Sequence, residues 1–280
     1  MANMISIICA TIEGRKTVTS FIRSIESSLI KIGNDLRCEL ILVDQRNDGD
    51  LDNLVVNLES LRLVHIHSKV RGLSFNRNIA LKHCVGDWIM CSDADCIVDE
   101  NYFLNFLLAI NQYPNATAFF GKILEISTFK DILRSWPREI QKISFSKRWT
   151  LSTSVNAIWR ALGDTCRYDD DFGLGSLYPS CEDVDFFIQN KFSQIYYFPS
   201  LVVFHPHQSP STISILKAKS YSFGFGALCR KHTLRMGLFF LLASILKKTA
   251  DTILGKSPPK YFLPIVLSRI AGFLSYKRGN

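Results

Sequence analysis

The chain has 280 residues, of which 47% are hydrophobic and 21% charged. This excludes an intrinsically disordered protein and allows one large α/β domain. Its formal net charge of +8 is unevenly distributed: residues 213–280 carry 12 Lys or Arg and one acid, whereas residues 1–212 carry 21 basic and 24 acidic residues. The basic character therefore belongs to the C-terminal tail, where it favours contact with nucleic acid or an anionic membrane surface.

Eight cysteines are scattered along the chain without a Cys-x-x-Cys pair, and most lie within apolar runs, as small core residues do. The chain does not open with the charged segment and long apolar run that are typical of a secretory signal. We therefore expect a reducing, cytoplasmic compartment.

Short apolar strands alternate with helical patterns over the first hundred residues. Apolar residues recur at helical spacing over 17–32, and Ser74 is placed to cap a helix over 74–84 that Gly86 closes. The predicted strands of this half are 4–10, 38–44, 61–67 and 87–92. Strands that alternate with helices indicate a parallel sheet with helices on both faces.

The pattern becomes mixed after residue 115. A helix is predicted around 129–143, and a polar, glycine-containing loop that runs into a helix covers 168–192. From about residue 212 onward the chain is predicted to be helical. The predicted strands of this half are 116–126, 152–160, 194–198 and 201–207.

Two acids follow a buried strand in the stretch DWIMCSDADCIVDEN, residues 87–101. Asp93 and Asp95 are separated by one residue, so their side chains can converge on one ligand. Mg²⁺ and Mn²⁺ prefer carboxylate oxygens together with substrate phosphates. Asp44 also ends a predicted strand, and ligands of parallel sheets bind at the carboxyl ends of strands. The alternative is a solvated acidic loop, because Asp-x-Asp occurs by chance in many loops.

Two later groups of polar residues are further candidates for chemistry. Glu182 and Asp183 fall at the predicted start of a helix, where acids also interact favourably with the helix dipole. Their functional interpretation is a general base that takes a proton from an attacking hydroxyl. His205 and His207 lie two residues apart at a strand end, from which one of them, His205 before His207, can join a metal held by carboxylates.

In order and spacing, the chain resembles bacterial family 2 glycosyltransferases with the GT-A fold, of the type that builds surface polysaccharide. The signatures that carry the resemblance are SIICATIEGR, ELILVDQRNDGD, VRGLSFNRNIAL, WIMCSDADCIV, YDDDFGLGSLYPSCEDVDF and SYSFGFGALCRKH, which together cover roughly residues 4–232. The implied fold is α/β, with a single Rossmann-like nucleotide-binding sheet, a mixed C-terminal half and a helical, basic C-terminal tail. The implied domains are a GT-A catalytic domain over 1–212, with a nucleotide-sugar part at about 1–98 and an acceptor part at about 99–212, and the tail at 213–280.

The resemblance implies roles for particular side chains. Asp95 is expected to bind the metal, Mn²⁺ or Mg²⁺, and His205 is our candidate for a second ligand. Asp183 is expected to be the catalytic base, with Glu182 assisting on the acceptor side. The residues expected to bind the nucleotide-sugar donor are Thr11, Glu13, Arg15, Asp44, Ser74, Arg77, Asp93 and Ala94.

The implied reaction is inverting, metal-dependent transfer of a sugar from a nucleoside-diphosphate-sugar donor to a hydroxyl of a glycan or lipid-linked acceptor. The chain departs from the family pattern after Asp44, where Gln45-Arg46-Asn47 replaces the usual second acid or serine. The resemblance therefore does not identify the nucleotide base.

Two alternatives belong to other classes. A catalytically inactive nucleotide-sugar-binding partner protein would be expected to have lost the Asp-x-Asp motif or the Glu-Asp pair, and both are present. A nucleotidyltransferase would be expected to begin with a Gly-rich basic loop after its first strand, whereas ATIEGRKT contains one glycine.

The tail contains two apolar segments, 236–254 and 261–280, bracketed by lysines. The uncharged run from Met236 to Leu246 is shorter than the roughly 20 residues that a spanning helix needs. The pattern favours helices that lie in the headgroup region, which predicts a peripheral location on the inner face of the cell membrane. The alternatives are a helix packed on the domain and a homo-oligomer interface. Nucleic acid is not expected, because aromatic residues are not interleaved with the basic ones.

Overall fold

The computed structural model describes residues 3–46, 48–163, 166–206 and 214–277, so Asn47 and His207 lie outside the described residues. The chain divides into two compact units. One, called the sheet unit here, comprises Met1–Arg71, Phe75–Arg167 and Phe186–His207. The other, called the helical unit, comprises Gly72–Ser74, Tyr168–Asp185 and Gln208–Asn280.

The strands that the structure describes form one sheet within the sheet unit. Their bounds are β1 Asn3–Thr11, β2 Leu36–Asp44, β3 Leu61–His67, β4 Trp88–Cys91, β5 Ile97–Val98, β6 Ala118–Glu125, β7 Gln141–Lys142, β8 Ala157–Arg160 and β9 Ile195–His205. The order is β3-β2-β1-β4-β8-β6-β9-β5, and β7 pairs with β9. β1 to β4 pair in parallel, whereas β8 is antiparallel to both β4 and β6. The sheet is therefore Rossmann-like in its first half and mixed in its second, as predicted.

The helices are α1 Arg15–Ile30, α2 Leu73–Leu81, α3 Tyr102–Gln112, α4 Phe145–Leu151, α5 Glu182–Gln189, α6 Ile215–Lys231, α7 Gly237–Ile253 and α8 Phe262–Ser275. The predicted stripe of α1 is its buried face, which includes Phe21, Ile25 and Leu29. Each such side chain contributes about 1.5–3 kcal/mol by leaving water. The helix begins two residues earlier than predicted, because the Gly14 carbonyl accepts the first helical N–H groups.

The main core of the sheet unit lies between one face of the sheet and helices α1 and α3. Trp88 of β4 packs edge-on against Phe106 of α3, with ring centroids 5.2 Å apart, and also against Phe119 of β6. This core explains why the strand before the Asp-x-Asp motif is apolar throughout, since all four residues of β4 are buried. The rigid strand holds the loop that follows it.

The prediction that α2 extends to residue 84 and is closed by Gly86 is wrong. α2 ends at Leu81, and the backbone N–H groups of Val85 and Gly86 instead donate to a buried polar pair. Val85 donates to Glu39 Oε1 at 2.8 Å, and Gly86 donates to Ser6 Oγ at 2.8 Å. Ser6 in turn donates to Glu39. These bonds to β1 and β2 satisfy buried polar groups that extra helical turns would leave unpaired.

The predicted helix around 129–143 is also wrong. Phe129 and Leu133 both have positive φ, at 56° and 67°, a conformation that no helix interior contains. The Glu125 carboxylate accepts from the N–H groups of Ser127 and Thr128, which holds the chain in a turn. Ile132 and Trp136 of this segment are nevertheless buried.

The two strands predicted at 194–198 and 201–207 are one strand, β9. Its register against β6 shifts between Phe120 and Lys122, which pair with Tyr197 and Val202 respectively. Pro199 and the residue after it occupy this irregularity, because proline cannot donate to the ladder. The pairing is therefore interrupted at the proline, but the strand does not end there.

The described part of the tail is helical, as predicted, and α6, α7 and α8 pack on one another within the helical unit. Two glycines, Gly226 of the SYSFGFGALCRKH motif and Gly272 of α8, lie at a close crossing between α6 and α8. A Cβ on Gly226 would lie 2.8 Å from the carbonyl carbon of Arg269, and one on Gly272 would lie 2.8 Å from that of Phe223. Among the described residues, no helix combines the length and the apolar character required to cross a membrane.

All eight cysteines are free thiols. Six of them, at positions 9, 38, 91, 96, 166 and 229, are buried, as their sequence context predicts.

Candidate active site

The acids that the motifs indicate lie at or just after the carboxyl ends of strands in the sheet unit. β1 ends at Thr11 and β2 at Asp44, and these residues are neighbours in the parallel register. β4 ends at Cys91, the register partner of Ile8, and Asp93–Asp95 follow in the next loop. The strand order reverses between β1 and β4, because the chain adds β2 and β3 on one side before β4 pairs on the other. The predicted coincidence of acids and carboxyl ends is therefore confirmed. Ligands of such sheets bind at the point where the strand order reverses.

Arg77 of α2 makes an ion pair with the first acid of the Asp-x-Asp motif. Its Nη2 donates to Asp93 Oδ1 at 3.0 Å, and its Nη1 donates to Ser154 Oγ at 3.1 Å. Arg77 is only 1% exposed, and a buried charge that loses its partner costs about 3–5 kcal/mol. The guanidinium therefore fixes the direction of the Asp93 carboxylate, while Ala94 packs in the core behind it.

The second acid, Asp95, meets His205, the last residue of β9. His205 Nε2 lies 3.7 Å from Asp95 Oδ1, and both side chains are partly exposed. Cys96 belongs to the same group, whose possible ligand atoms all lie within 4.8 Å of one another. The structure thus brings together the two residues that the sequence analysis proposed as metal ligands.

The chemistry of this group suits a hard divalent cation. Burial raises the pKa of Asp95, nearby His205 lowers it, and the negative charges of Asp93 and Glu13 raise it again, with a net upward shift. A cation relieves such repulsion. Full burial raises the pKa of the Cys96 thiol, which keeps it protonated and a poor ligand. One carboxylate and one imidazole leave room for substrate phosphates, as Mn²⁺ and Mg²⁺ sites do.

The loops that follow β1 and β2 are tied together by one carboxylate. Thr11 Oγ1 accepts from the Glu13 N–H at 2.8 Å, which bends the chain directly after β1. The backbone N–H of Arg15 donates to Asp50 Oδ2 at 2.7 Å, and Arg46 Nη1 donates to the same oxygen at 3.0 Å. Arg46, from the segment that departs from the family pattern, therefore helps to hold the expected base-binding loop.

Two histidines that the motifs did not indicate face Asp44. His65 and His67 alternate along β3, and His67 is the register partner of Asp44. Burial and the neighbouring charge of His67 lower the pKa of His65. The signal was present in the sequence, because His-x-His in a strand puts both rings on one face. The sequence did not show that Asp44 is the acid beside these rings, because that depends on the pairing of β2 with β3.

Glu182 and Asp183 lie in the helical unit and begin α5, as predicted. The residue before them, Cys181, has a left-handed φ of 70°, which turns the chain sharply into the helix. Gly173, in the preceding loop, has φ 104°, and a Cβ there would lie 3.4 Å from Glu182 Cγ. This loop therefore requires glycine where it passes the Glu182 side chain.

Ser74 does not cap α2, so that prediction is wrong. α2 begins at Leu73, one residue before Ser74, and the Ser74 hydroxyl donates to the carbonyl of Phe172 at 2.5 Å. The Leu73 N–H donates to the carbonyl of Leu174 at 2.9 Å. The N–H of Leu73 is thus satisfied by the glycine-containing loop of the helical unit, and the Ser74 side chain binds that loop instead of capping the helix.

A buried charge cluster joins Asp185 of α5 to the end of α6 and was not indicated by the motifs. Asp185 is 0% exposed; its Oδ1 lies 2.7 Å from His232 Nε2, and its Oδ2 accepts from Lys231 Nζ at 2.8 Å. Lys231 also donates to Asp169 at 2.6 Å. Burial alone lowers the pKa of Lys231, but the two carboxylates outweigh it and the net shift is upward. The Lys-His pair that ends SYSFGFGALCRKH was the available signal.

The residues expected to act on substrate are divided between the two units. The sheet unit contains Thr11, Glu13, Arg15, Asp44, Arg77, Asp93, Ala94, Asp95 and His205, and the helical unit contains Ser74, Glu182 and Asp183. Their individual roles stay predictions.

The sequence model of Glycosyl transferase family 2 matches residues 6–162, more than half of the chain. The match includes the strand ends of β1, β2 and β4 and the Asp-x-Asp loop. No curated protein matches the chain.

Solved structures share the fold at low sequence identity. The mannosyltransferase PcManGT from Pyrobaculum calidifontis, in complex with GDP-Man and Mn²⁺, is 14% identical with a TM-score of 0.64, over 98% of this chain and 88% of that one. TarS 1–349 of S. aureus with UDP-GlcNAc is 14% identical with a TM-score of 0.61, over 96% and 80%. TarS 1–349 with UDP is 16% identical with a TM-score of 0.59, over 79% and 65%, so the chain spans less than two thirds of that structure.

Proposed function

Because the chain belongs to glycosyl transferase family 2 and has the α/β GT-A fold expected of it, we propose that it is an inverting transferase. It moves a sugar from a nucleoside-diphosphate-sugar donor to a hydroxyl of a glycan or lipid-linked acceptor. The main support is that Asp95 lies beside His205. Arg77 holds Asp93 of the same Asp-x-Asp loop, which follows the carboxyl end of a parallel strand. Such a group suits a phosphate-bearing ligand and a divalent cation.

The donor is held by residues from the strand ends and from the start of α2. Those at the base end are Thr11, Glu13, Arg15 and Asp44, and those near the ribose and phosphates are Ser74, Arg77, Asp93 and Ala94. Arg77 suits a phosphate neighbour, because its planar guanidinium presents several donors in a fixed fork. Asp95 and His205 would hold Mn²⁺ or Mg²⁺, which when bound supplies positive charge to the leaving diphosphate.

Asp183 acts as the general base. Its carboxylate takes the proton of the acceptor hydroxyl while that oxygen forms a bond to the anomeric carbon, and the bond from this carbon to the diphosphate oxygen breaks. Attack from the face opposite the leaving group inverts the configuration and requires no covalent enzyme intermediate. Glu182 positions the acceptor. The buried cluster around Asp185 holds the first turn of α5, which carries both acids.

The donor half of this proposal is tested by calorimetric titration of a panel of nucleoside diphosphates with and without Mn²⁺. We expect one diphosphate to bind at least about tenfold more tightly with Mn²⁺, and Asp95→Ala to remove this gain. The matched control is Asp35→Ala, an exposed acid in the turn before β2. Binding that is independent of metal and unchanged in Asp95→Ala would contradict the proposed metal site.

The catalytic half is tested with Asp183→Asn, which keeps the shape of the side chain but removes the base. We expect donor binding to be retained and the transfer rate to fall by about 10²–10⁴-fold. Asp171→Asn, at an exposed acid of the preceding loop, serves as the control. A wild-type chain that binds the donor but transfers no sugar to any glycan or lipid-linked acceptor would support the inactive partner protein instead.

We further propose that the helical unit rests on the anionic inner face of the cytoplasmic membrane. α7 exposes Leu238, Phe239, Leu242 and Leu246, and α8 exposes Leu263, Leu267 and Leu274. An apolar groove of about 510 Å³ between α6 and α8 continues this surface. Lys219 lines the groove, and the exposed Lys256 and Lys260 lie between α7 and α8, which gives this part of the chain positive charge for anionic lipids.

A further inference from the structure

The group formed by Asp44, His65 and His67 contains two buried polar atoms without a hydrogen-bond partner among the described residues. These atoms are Oδ2 of Asp44 and Nε2 of His65. Asp44 is wholly buried, so its free oxygen has no access to bulk water. Buried polar atoms are almost always satisfied, and two that face each other across an open distance indicate a third group that binds both.

The distances within this group suit a small ion. Asp44 Oδ2 lies 3.7 Å from His65 Nε2 and 3.8 Å from His67 Nδ1. Two ligand atoms at about 2.0–2.2 Å from a tetrahedral ion are themselves about 3.3–3.6 Å apart. The three ligand atoms lie within 4.8 Å of one another. A small rotation of the two rings is therefore enough to close the group around an ion.

The contacts around the group already orient its members. Asp44 Oδ1 accepts from the Arg46 N–H at 2.9 Å, which turns Oδ2 toward the histidines. His67 Nε2 lies 3.1 Å from Asp52 Oδ1, which leaves Nδ1 directed at Asp44. A carboxylate behind a histidine is the usual outer partner of a metal-bound imidazole. The half-exposed ring of His67 gives an ion a path from solvent.

We propose that Asp44, His65 and His67 form a binding site for a divalent transition-metal ion of the Zn²⁺ type. Its ligands are Asp44 Oδ2, His65 Nε2 and His67 Nδ1, with the fourth position open to water. Two imidazoles favour such an ion over Mg²⁺, which prefers oxygen ligands. The site shares no residue with the Asp95–His205 pair, but it shares Asp44 with the proposed base contact, so metal binding is tested in the absence of a donor. The bound ion joins the carboxyl ends of β2 and β3 and, through Asp52, the loop after β2.

The test uses Co²⁺, because its visible absorption reports tetrahedral coordination by nitrogen and oxygen. The full-length chain is stripped with a chelator and titrated with Co²⁺ and then Zn²⁺. We expect one equivalent of tetrahedral Co²⁺ that Zn²⁺ displaces, with the spectrum retained in Asp95→Ala. The double variant His65→Gln, His67→Gln should lose the spectrum, whereas His83→Gln, at an exposed histidine outside the group, should keep it.

A milder variant covers the case in which the double variant does not fold. Asp52→Asn removes only the exposed outer carboxylate and should weaken Co²⁺ binding by about 10–100-fold. The proposal is overturned if tetrahedral Co²⁺ is absent from the wild type, which would leave a buried water as the third group. It is also overturned if the spectrum disappears in Asp95→Ala or survives unchanged in both Asp52→Asn and the double variant.

Discussion

Asp185 shows how one buried side chain supports the residues proposed to act on substrate. Both of its oxygens are engaged, one with His232 and the other with Lys231, and the whole carboxylate is inaccessible to water. Its backbone N–H also bonds to the carbonyl of Cys181, the residue that precedes α5. Because Asp185 lies only two residues after Asp183, the cluster fixes the turn that carries the proposed base.

We predict that Asp185→Asn destabilises the chain strongly. The substitution removes the negative charge that balances Lys231, and breaking a buried ion pair on one side costs about 3–5 kcal/mol. Urea denaturation followed by circular dichroism measures the change in unfolding free energy. Asp251→Asn is the matched control, since Asp251 pairs with Lys247 on the surface and should give no measurable change. Equal stability of the two variants would contradict the role of the cluster.

Single residues differ in how far their surroundings follow from the sequence. Asp93 and Asp95 were identified by their place after an apolar strand, a local pattern. The ion pair of Asp93 with Arg77 and the group around Asp44 join positions that only strand pairing and helix packing bring together. Side-chain identity therefore indicated the acids but not the partners that orient them.

Elements with a single strong period were predicted well, and those with competing local bonds were not. β3 has the predicted bounds, because its apolar alternation lies between clear turns. The helix predicted around 129–143 does not form, because left-handed backbone at Phe129 and the hydrogen bonds of the Glu125 side chain hold the start of this segment in a turn. The short strands β5 and β7 carry only two residues each, too few for any periodicity.

The close contact between α6 and α8 predicts that a side chain larger than glycine cannot be placed between these helices without loss of stability. Gly272→Val should lower the stability of the helical unit, because the new side chain would overlap the backbone of Phe223. Overpacking of this kind costs about 1–3 kcal/mol. Ala271→Val adds a branched side chain at the neighbouring exposed position of the same helix and is the control. Thermal unfolding measures the stability of both variants. A Gly272→Val variant as stable as the control would contradict the close packing of α6 against α8.

The whole chain combines a weakly acidic part with a strongly basic tail. Residues 1–212 have 24 acids against 21 bases, whereas the tail has 12 bases against one acid. The same tail exposes large apolar side chains on α7 and α8. Charge and apolar surface thus coincide, which is the combination that binds anionic lipid surfaces.

We predict that the chain sediments with vesicles that contain phosphatidylglycerol and much less with neutral vesicles. The triple variant Leu242→Ser, Leu246→Ser, Leu267→Ser should reduce binding at least about tenfold, because each leucine that leaves water contributes roughly 1.5–3 kcal/mol. Raising the salt concentration to about 0.5 M should also weaken binding, since it screens the lysines.

The control for this experiment is Leu104→Ser with Leu108→Ser, two exposed leucines on α3 of the sheet unit. Binding that does not distinguish the two sets of variants would contradict the membrane proposal. A concentration-dependent dimer that the triple variant abolishes, without any vesicle binding, would assign the same surface to a second copy of the chain.

The sequence by itself determined the alternation of strands and helices, the acids after the strands, the helical tail and the family resemblance. These depend on local spacing and on residue type. The tertiary structure alone decided which strands are neighbours, and with them the pairing of Asp95 with His205, of Asp93 with Arg77 and of Asp44 with two histidines. The physical reason is that such contacts join residues far apart in the chain, and burial of the whole core, rather than any local preference, selects them.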